Sequence, residues 1–245
     1  AVNLLHAAFS PVEKITGITY QNQVSTDALQ TAVRSLQAAG LQELLVDTRN
    51  LFVFEYQSLS ALTELQLSPL ERQQIWQLRQ VKDLAEQQAI TTAGALTKKA
   101  YDHVIALATE GVTERELAYE IEAFIKKSGG ELAFPSIVAF GPHSSLPHHQ
   151  PTATKLKKET ALLIDLGAKV DRYCADMTRT TWFGSTPPAE FTTIELTVLQ
   201  AYKKALESTL QQRTSATVAQ IDLAARNFIT EAGYGKEFIH TTGHG

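Results

Sequence analysis

Apolar residues recur every three or four positions through the stretch ERQQIWQLRQVKDLAEQQAITTAGALTKKAYDHVIALATEG, at Ile75, Leu78, Val81, Ala85, Ala89, Ala93, Leu96, Ala100, Val104 and Leu107. This is the period of one face of a helix, and it predicts a long helix over about 70–110, with Gly94 the candidate kink and Gly111 the end. His103 lies inside it and reads as a surface or packing residue. A second helix is predicted from Thr113, where Glu116 completes a capping box, to Gly129–Gly130. Further on, Pro187–Pro188 opens AEFTTIELTVLQAYKKALESTLQQR, because proline is tolerated in a first helical turn. Thr217 and Gln220 form another capping box, and VAQIDLAARNFITEAG runs to a stop at Gly233. Near the start, Leu29, Val33, Leu36 and Ala39 have helical spacing closed by Gly40, and LQELLVDT follows as a strand. Leu51–Leu67 shows neither period.

The strand signals cluster in the middle of the chain. FPSIVAFG (134–141) reads as a strand. PHSSLPHHQPT follows as a loop, because three prolines and two serines leave little regular structure, and it carries His143, His148 and His149. KLKKET (155–160) reads as a basic, solvated lead-in. The segment from Ala161 to Phe183, ALLIDLGAKVDRYCADMTRTTWF, then reads as two strands joined by a tight turn. A loop centred on Val170–Asp171 sets Asp165 directly opposite Asp176, roughly 5 Å apart at Cβ. Two carboxylates at that distance repel. A divalent cation between them removes the repulsion and takes up their hard oxygens, so the pair reads as a metal site. The alternative is a carboxylate at an exposed turn or edge. The closing FIHTTGHG reads as an extended or looped segment holding His240 and His244. The resulting order is helix, helix, strand, hairpin, helix, helix, strand. It predicts an α+β fold with helices on one face of a largely antiparallel sheet.

Composition narrows the function classes. At 245 residues the chain holds one large domain or two small ones, and 44% apolar with 20% charged residues is ordinary for a soluble globular protein. A net charge of −4 argues against nucleic-acid binding, and no apolar run reaches the length of a membrane span. The single cysteine, Cys174, rules out an internal disulfide framework and fits a reducing, cytoplasmic location. It falls among bulky residues in a predicted strand, a poor place for a nucleophile, and neither a Gly-rich nucleotide fingerprint nor a GxSxG elbow occurs. The one methionine is Met177 and the chain closes on GHG, so a fragment of a longer protein is expected.

IDLGAKVDRYCADMTRT, the upstream loop SLPHHQP and the terminal HTTGHG together resemble the pita-bread metallopeptidases. Within these the pattern is that of the Xaa-Pro peptidases, prolidase (Xaa-Pro dipeptidase) and aminopeptidase P. The similarity covers about 79–245. Residues 1–75 resemble loosely the end of the creatinase-like α/β N-terminal domain such enzymes carry, which leaves 76–245 as a metallopeptidase domain incomplete at its C-terminus. The resemblance implies a dinuclear metal centre with five protein ligands. Asp165 matches the aspartate that chelates one metal, Asp176 the one that bridges both, and His244 the histidine ligand; two glutamates follow further along in the family. Two divalent ions are implied, and this oxygen-rich donor set with one imidazole suits manganese, cobalt or zinc. His148 matches a catalytic histidine that donates to the tetrahedral intermediate, and His240 one that contacts substrate. His143 and His149 match no role and read as solvent-exposed loop residues. Thr241 stands where the family often has arginine.

The implied activity is hydrolysis of Xaa-Pro bonds in di- or oligopeptides by a metal-bound hydroxide, in a homodimer with no nucleic-acid or membrane partner. A bond preceding proline has no N–H for an ordinary protease to grip, so it calls for a dedicated site. The alternatives are a pita-bread homologue that has become a binding module, and a creatinase-like hydrolase.

Overall fold

The computed structural model describes residues 37–243, apart from 41, 49, 63–65, 71–72, 74–76, 78 and 213–214. The predicted helix over 29–40 lies largely outside these residues, and so does His244. The chain divides into two compact units, 1–84 and 85–245.

In the first unit, strand β1 (Glu43–Val46) pairs in parallel with β2 (Gln66–Pro69), and helix α1 (Val53–Leu62) connects them. Val46 and Leu59 are buried against Leu44, Leu51 and Leu67. The segment Leu51–Leu67 resists reading from sequence for a visible reason. Phe52, Val53 and Phe54 are about 70% exposed, so its largest side chains do not mark the packed face.

The second unit opens with α2 (Leu84–Leu107) and α3 (Glu114–Lys127). Residues 73, 77 and 79–80 are helical, and a break at 81–83 separates them from α2, so the predicted helix over 70–110 is interrupted; Ile75 and Leu78 lie outside the described residues. Val81 and Leu84 are more than 80% exposed, so the apolar period there reflects no buried stripe. The helix is continuous through Gly94. Helix α3 has the predicted box: the Thr113 hydroxyl accepts from the Glu116 N–H, while the Glu116 carboxylate accepts from the Thr113 N–H. His103 stacks on Phe124 at 4.6 Å, a packing role as expected.

Both helices pack on one sheet face. Leu96, Ala100 and Val104 of α2 and Leu117, Ile121 and Ile125 of α3 share one core with Val138, Phe140, Leu162, Ile164 and Leu166. The strands concerned are β4 (Ile137–Phe140) and β5 (Thr160–Leu166), and β5 pairs on its other side with β8 (Met177–Phe183), all antiparallel. A smaller antiparallel sheet joins β3 (Glu131–Leu132), β6 (Ala168–Val170) and β7 (Tyr173–Cys174). Leu156, within the supposedly solvated KLKKET, is buried, and its N–H donates to the Val112 carbonyl at 2.8 Å.

The hairpin turn is centred one residue later than expected, which shifts the strand pairing by two residues. Val170 faces Tyr173 and Lys169 faces Cys174, so the two-residue turn is Asp171–Arg172, both with positive φ (48° and 72°). Such turns are usually announced by Asn-Gly or Asp-Gly, and with arginine in the second position nothing in the sequence marks the centre. Asp165 therefore faces Thr178 rather than Asp176.

Gly167 sits at the bend between the two sheets. A Cβ there would overlap the Ala175 carbonyl oxygen and crowd Phe134 and Ala133. Replacing Gly167 by alanine is expected to cost about 1–3 kcal/mol through forced backbone displacement. The urea-unfolding midpoint checks this, and an unchanged midpoint would mean that the Ala175 strand moves aside freely.

Helices α4 (Ala189–Gln212) and α5 (Val218–Glu231) pair through Ala201, Ala205, Ala225 and Ile229. The Thr217–Gln220 box is present, and Gly233 takes φ 93° just past the helix. The closing strand expected after it is not formed among the described residues. The tail from Tyr234 is held instead by side chains of α5, as set out below. Among the described residues no helix is long and apolar enough to cross a membrane.

Candidate active site

Strand β5 buries Leu162, Ile164 and Leu166 against the helices, and the alternation of a strand turns half-buried Asp165 to the opposite face. There the Thr178 hydroxyl donates to Asp165 Oδ1 at 2.7 Å, which orients the carboxylate. The register continues past the end of β8, since the Ala175 N–H donates to the Ala168 carbonyl at 2.9 Å. Asp176, two residues before Thr178, is thus a diagonal rather than a direct neighbour of Asp165. The missing Cβ of Gly167 lets this strand approach closely. Two carboxylates on one hairpin, one already oriented by a hydroxyl, are the donor chemistry a hard divalent ion takes.

His148 lies in the loop after β4, at the third position of a tight turn closed by the His149 N–H donating to the Leu146 carbonyl at 3.1 Å. Pro147 precedes it, in the turn position where proline's fixed φ is favoured. His148 is exposed, and its ring lies 6.4 Å from that of His240, near edge-on at 72°.

His240 is held by α5. Arg226 of that helix donates to the carbonyls of Phe238 and His240, both at 2.9 Å, and its guanidinium lies 4.5 Å from the Phe238 ring centre. Asp222, one turn earlier, binds Arg226 and accepts from both the N–H and the hydroxyl of Thr242. The Arg226 guanidinium, then the Thr242 N–H and hydroxyl, bring the Asp222 carboxyl down to about 2. This ion pair takes the place of the expected strand in ordering the segment that leads to His244.

The loop that carries His148 is fastened from beneath by a residue the sequence reading passed over. Glu114, the first residue of α3, is fully buried and receives five donors. Its Oε1 accepts from the Phe140 N–H (2.9 Å) and His143 Nδ1 (2.8 Å). Its Oε2 accepts from His149 Nε2 (2.9 Å) and from the Thr152 N–H and hydroxyl (2.9 and 2.7 Å). His143 and His149 are therefore not solvent-exposed loop residues. His149 is 7% exposed, His143 is half-buried, and their rings lie 4.3 Å apart. The sequence carried one weak signal, an acidic residue in the first turn of a helix, where the macrodipole favours it.

Burial alone would raise the Glu114 carboxyl. The hydrogen bonds from His149, Thr152, His143 and Phe140 outweigh it and bring the group to about 2 from an ordinary 4.5. An unfolded chain takes up this proton first as pH falls. The stability Glu114 contributes is thus present above 4.5 and is lost as pH falls toward 2. Melting temperatures across that range should drop more steeply for the wild type than for Glu114→Gln, and parallel curves would assign the acid sensitivity to other groups.

Glu114, His143 and His149 are also the one group of three metal-type ligands among the described residues. Five N–H and O–H donors already converge on two carboxylate oxygens, which leaves the cluster arranged around an anion rather than a cation. The pair Asp165 and Asp176 has the opposite character.

An antiparallel hairpin with two offset aspartates, in a sheet covered by helices on one face, suits a metal-dependent hydrolase. Residues 88–245 match the model of metallopeptidase family M24, and the chain belongs to that family, which is metal-dependent. It is 41% identical over 174 residues, 71% of its length, to an uncharacterized peptidase of Staphylococcus saprophyticus, about half (49%) of whose length it spans. Among solved structures it is similar to an Xaa-Pro dipeptidase from Bacillus anthracis (TM-score 0.82, 27% identity, 91% of this chain and 61% of that one). It is also similar to an X-Pro aminopeptidase from Thermotoga maritima (TM-score 0.80, 25% identity, 94% and 64%). The pita-bread fold is thereby shown, with its α+β make-up as expected.

Proposed function

We propose that this chain forms part of a metal-dependent exopeptidase that hydrolyses Xaa-Pro bonds. The observation that carries the reading is the offset pair Asp165 and Asp176 on one exposed hairpin face, in a fold whose solved relatives include both an Xaa-Pro dipeptidase and an X-Pro aminopeptidase. Asp165, Asp176 and His244 would hold two divalent ions, manganese first, together with two glutamates from the sequence beyond Gly245. Bound there, the ions would supply Lewis acidity and lower the pKa of water. This chain's own residues take the remaining roles. Thr178 holds the Asp165 carboxylate in place. His148 donates to the carbonyl oxygen of the scissile bond as it gains charge. His240, with Nδ1 directed at the Thr241 carbonyl 2.9 Å away, presents its other ring nitrogen to substrate.

In this reading residues 1–75 belong to an N-terminal domain and 76–245 to the metallopeptidase domain, in a cytoplasmic homodimer. The test uses the full-length protein, freed of metal by chelation and reloaded with manganese. It should cleave Ala-Pro or remove the first residue of Ala-Pro-Ala, and leave Ala-Ala and creatine intact. Cleavage of Ala-Ala at a rate equal to Ala-Pro would overturn the proline specificity, and hydrolysis of creatine would favour the creatinase-like alternative.

A further inference from the structure

We propose that Glu114 is a positioning residue for His148, acting through the loop 141–152; the catalytic half of this statement rests on the role given to His148 above. One carboxylate closes both limbs of the loop. On the incoming limb Oε1 holds the Phe140 N–H, at the end of β4, and His143. On the outgoing limb Oε2 holds His149 and Thr152. The backbone beside it is sewn to the same limb, since the Glu114 N–H donates to the Thr154 carbonyl (3.2 Å) and the Arg115 N–H to the Thr152 carbonyl (3.1 Å). Arg115 Nε adds a bond to the Pro151 carbonyl at 3.2 Å.

His148 sits next to the pinned residue. The His149 ring is buried and directed inward at Glu114, and the following turn geometry sends the neighbouring His148 side chain outward, toward His240. Proline at 147 removes backbone freedom on the other side. The tip of the turn therefore has its position set by Pro147 behind and by the Glu114–His149 bond ahead. Helix α3 supplies a rigid base for that bond, because its buried face is locked into the main core through Leu117, Ile121 and Ile125. A glutamine at 114 cannot reproduce the arrangement, since its amide nitrogen does not accept and would face N–H and O–H donors.

The experiment has a structural and a kinetic arm, both in the full-length protein. In histidine-labelled samples the wild type should show cross-relaxation between the His148 and His240 rings, and Glu114→Gln should lose it while the fold signature in circular dichroism stays. Where the buried mismatch unfolds the protein, His149→Ala removes the same link from the loop side and His149→Gln, which retains a donor, should restore it in part. In the manganese-loaded enzyme, Glu114→Gln or His149→Ala should lower kcat on Ala-Pro by roughly 10- to 100-fold, the size of a misplacement near 1 Å, with KM and metal content little changed. In a His148→Ala background the same substitution should have no further effect on kcat, because residues that act as a unit are non-additive.

Multiplying losses in that double variant would overturn the proposal, as would unchanged His148–His240 cross-relaxation in Glu114→Gln. Anomalous scattering from zinc bound by Glu114, His143 and His149 would overturn it too, since the donors would then be ligands. If the wild type fails to cleave Xaa-Pro substrates, the proposed function falls, and the cross-relaxation arm alone decides whether Glu114 positions His148.

Discussion

If the proposed two-metal Xaa-Pro peptidase reading holds, replacing Asp176 by asparagine in the full-length protein is expected to remove one of the two ions and nearly all hydrolysis of Ala-Pro. The amide keeps the size of the side chain and loses the charge and one of the two oxygens. Were Asp176 to bridge two ions, as the resemblance implies, its two carboxylate oxygens would be shared between them, and the single amide oxygen of asparagine would not serve both. Lewis-acid stabilisation of developing charge is worth several kcal/mol, and at about 1.4 kcal/mol per factor of ten its loss lowers the rate by roughly 10³-fold or more. Metal analysis by mass spectrometry, run beside the activity assay, separates the two consequences. Two metals retained with full activity would remove Asp176 from the bridging role. The neighbouring bond from Thr178 to Asp165 predicts that Asp165 stays oriented in this variant, so one ion should remain.

The second large effect is expected at His148. Substitution by alanine should leave metal content unchanged, because the ligand set proposed above does not include His148. Turnover should nevertheless fall by roughly 10²- to 10³-fold, the usual size for the loss of one donor to a developing oxyanion. The partition between constants carries the argument. An interaction made only in the transition state lowers kcat and kcat/KM equally, whereas lost ground-state binding raises KM alone. A rise in KM with unchanged kcat would make His148 a binding residue and sink its role as the oxyanion donor.

The architecture was legible in the sequence to the degree that local rules set it. Both capping boxes, at Thr113 and Thr217, formed as read, because they need only residues three apart. The apolar period of α2 held wherever it met a core, from Ala89 to Val104, and broke down at Val81 and Leu84, which meet solvent. The hairpin is legible, but its turn centre lies one residue later than read, so the pairing is shifted by two residues. Its turn is Asp171–Arg172, and positive φ at an arginine has no signature in sequence. The consequence is physical: Asp165 and Asp176 are diagonal neighbours, with a hydroxyl opposite Asp165 where a carboxylate was expected.

The sequence by itself determined the two helix pairs on either side of a central hairpin and, through strand alternation, the placing of Asp165 on the face away from Leu162, Ile164 and Leu166, but not the tail after Gly233, where the expected strand does not form among the described residues. It also carried the motifs that mark the family. Only the tertiary structure decided what the histidines do. Glu114 meets His149 across 35 positions and Thr152 across 38, and Asp222 meets Thr242 across 20. No periodicity links such positions: the Glu114 contacts exist only once β4, α3 and the loop between β4 and β5 have packed, and the Asp222–Thr242 contact only once the closing segment folds back on α5. A buried carboxylate is costly unless donors surround it, so the fold that buries Glu114 must bring His143, His149 and Thr152 to it. That requirement turns two histidines that looked like surface residues into supports for a third.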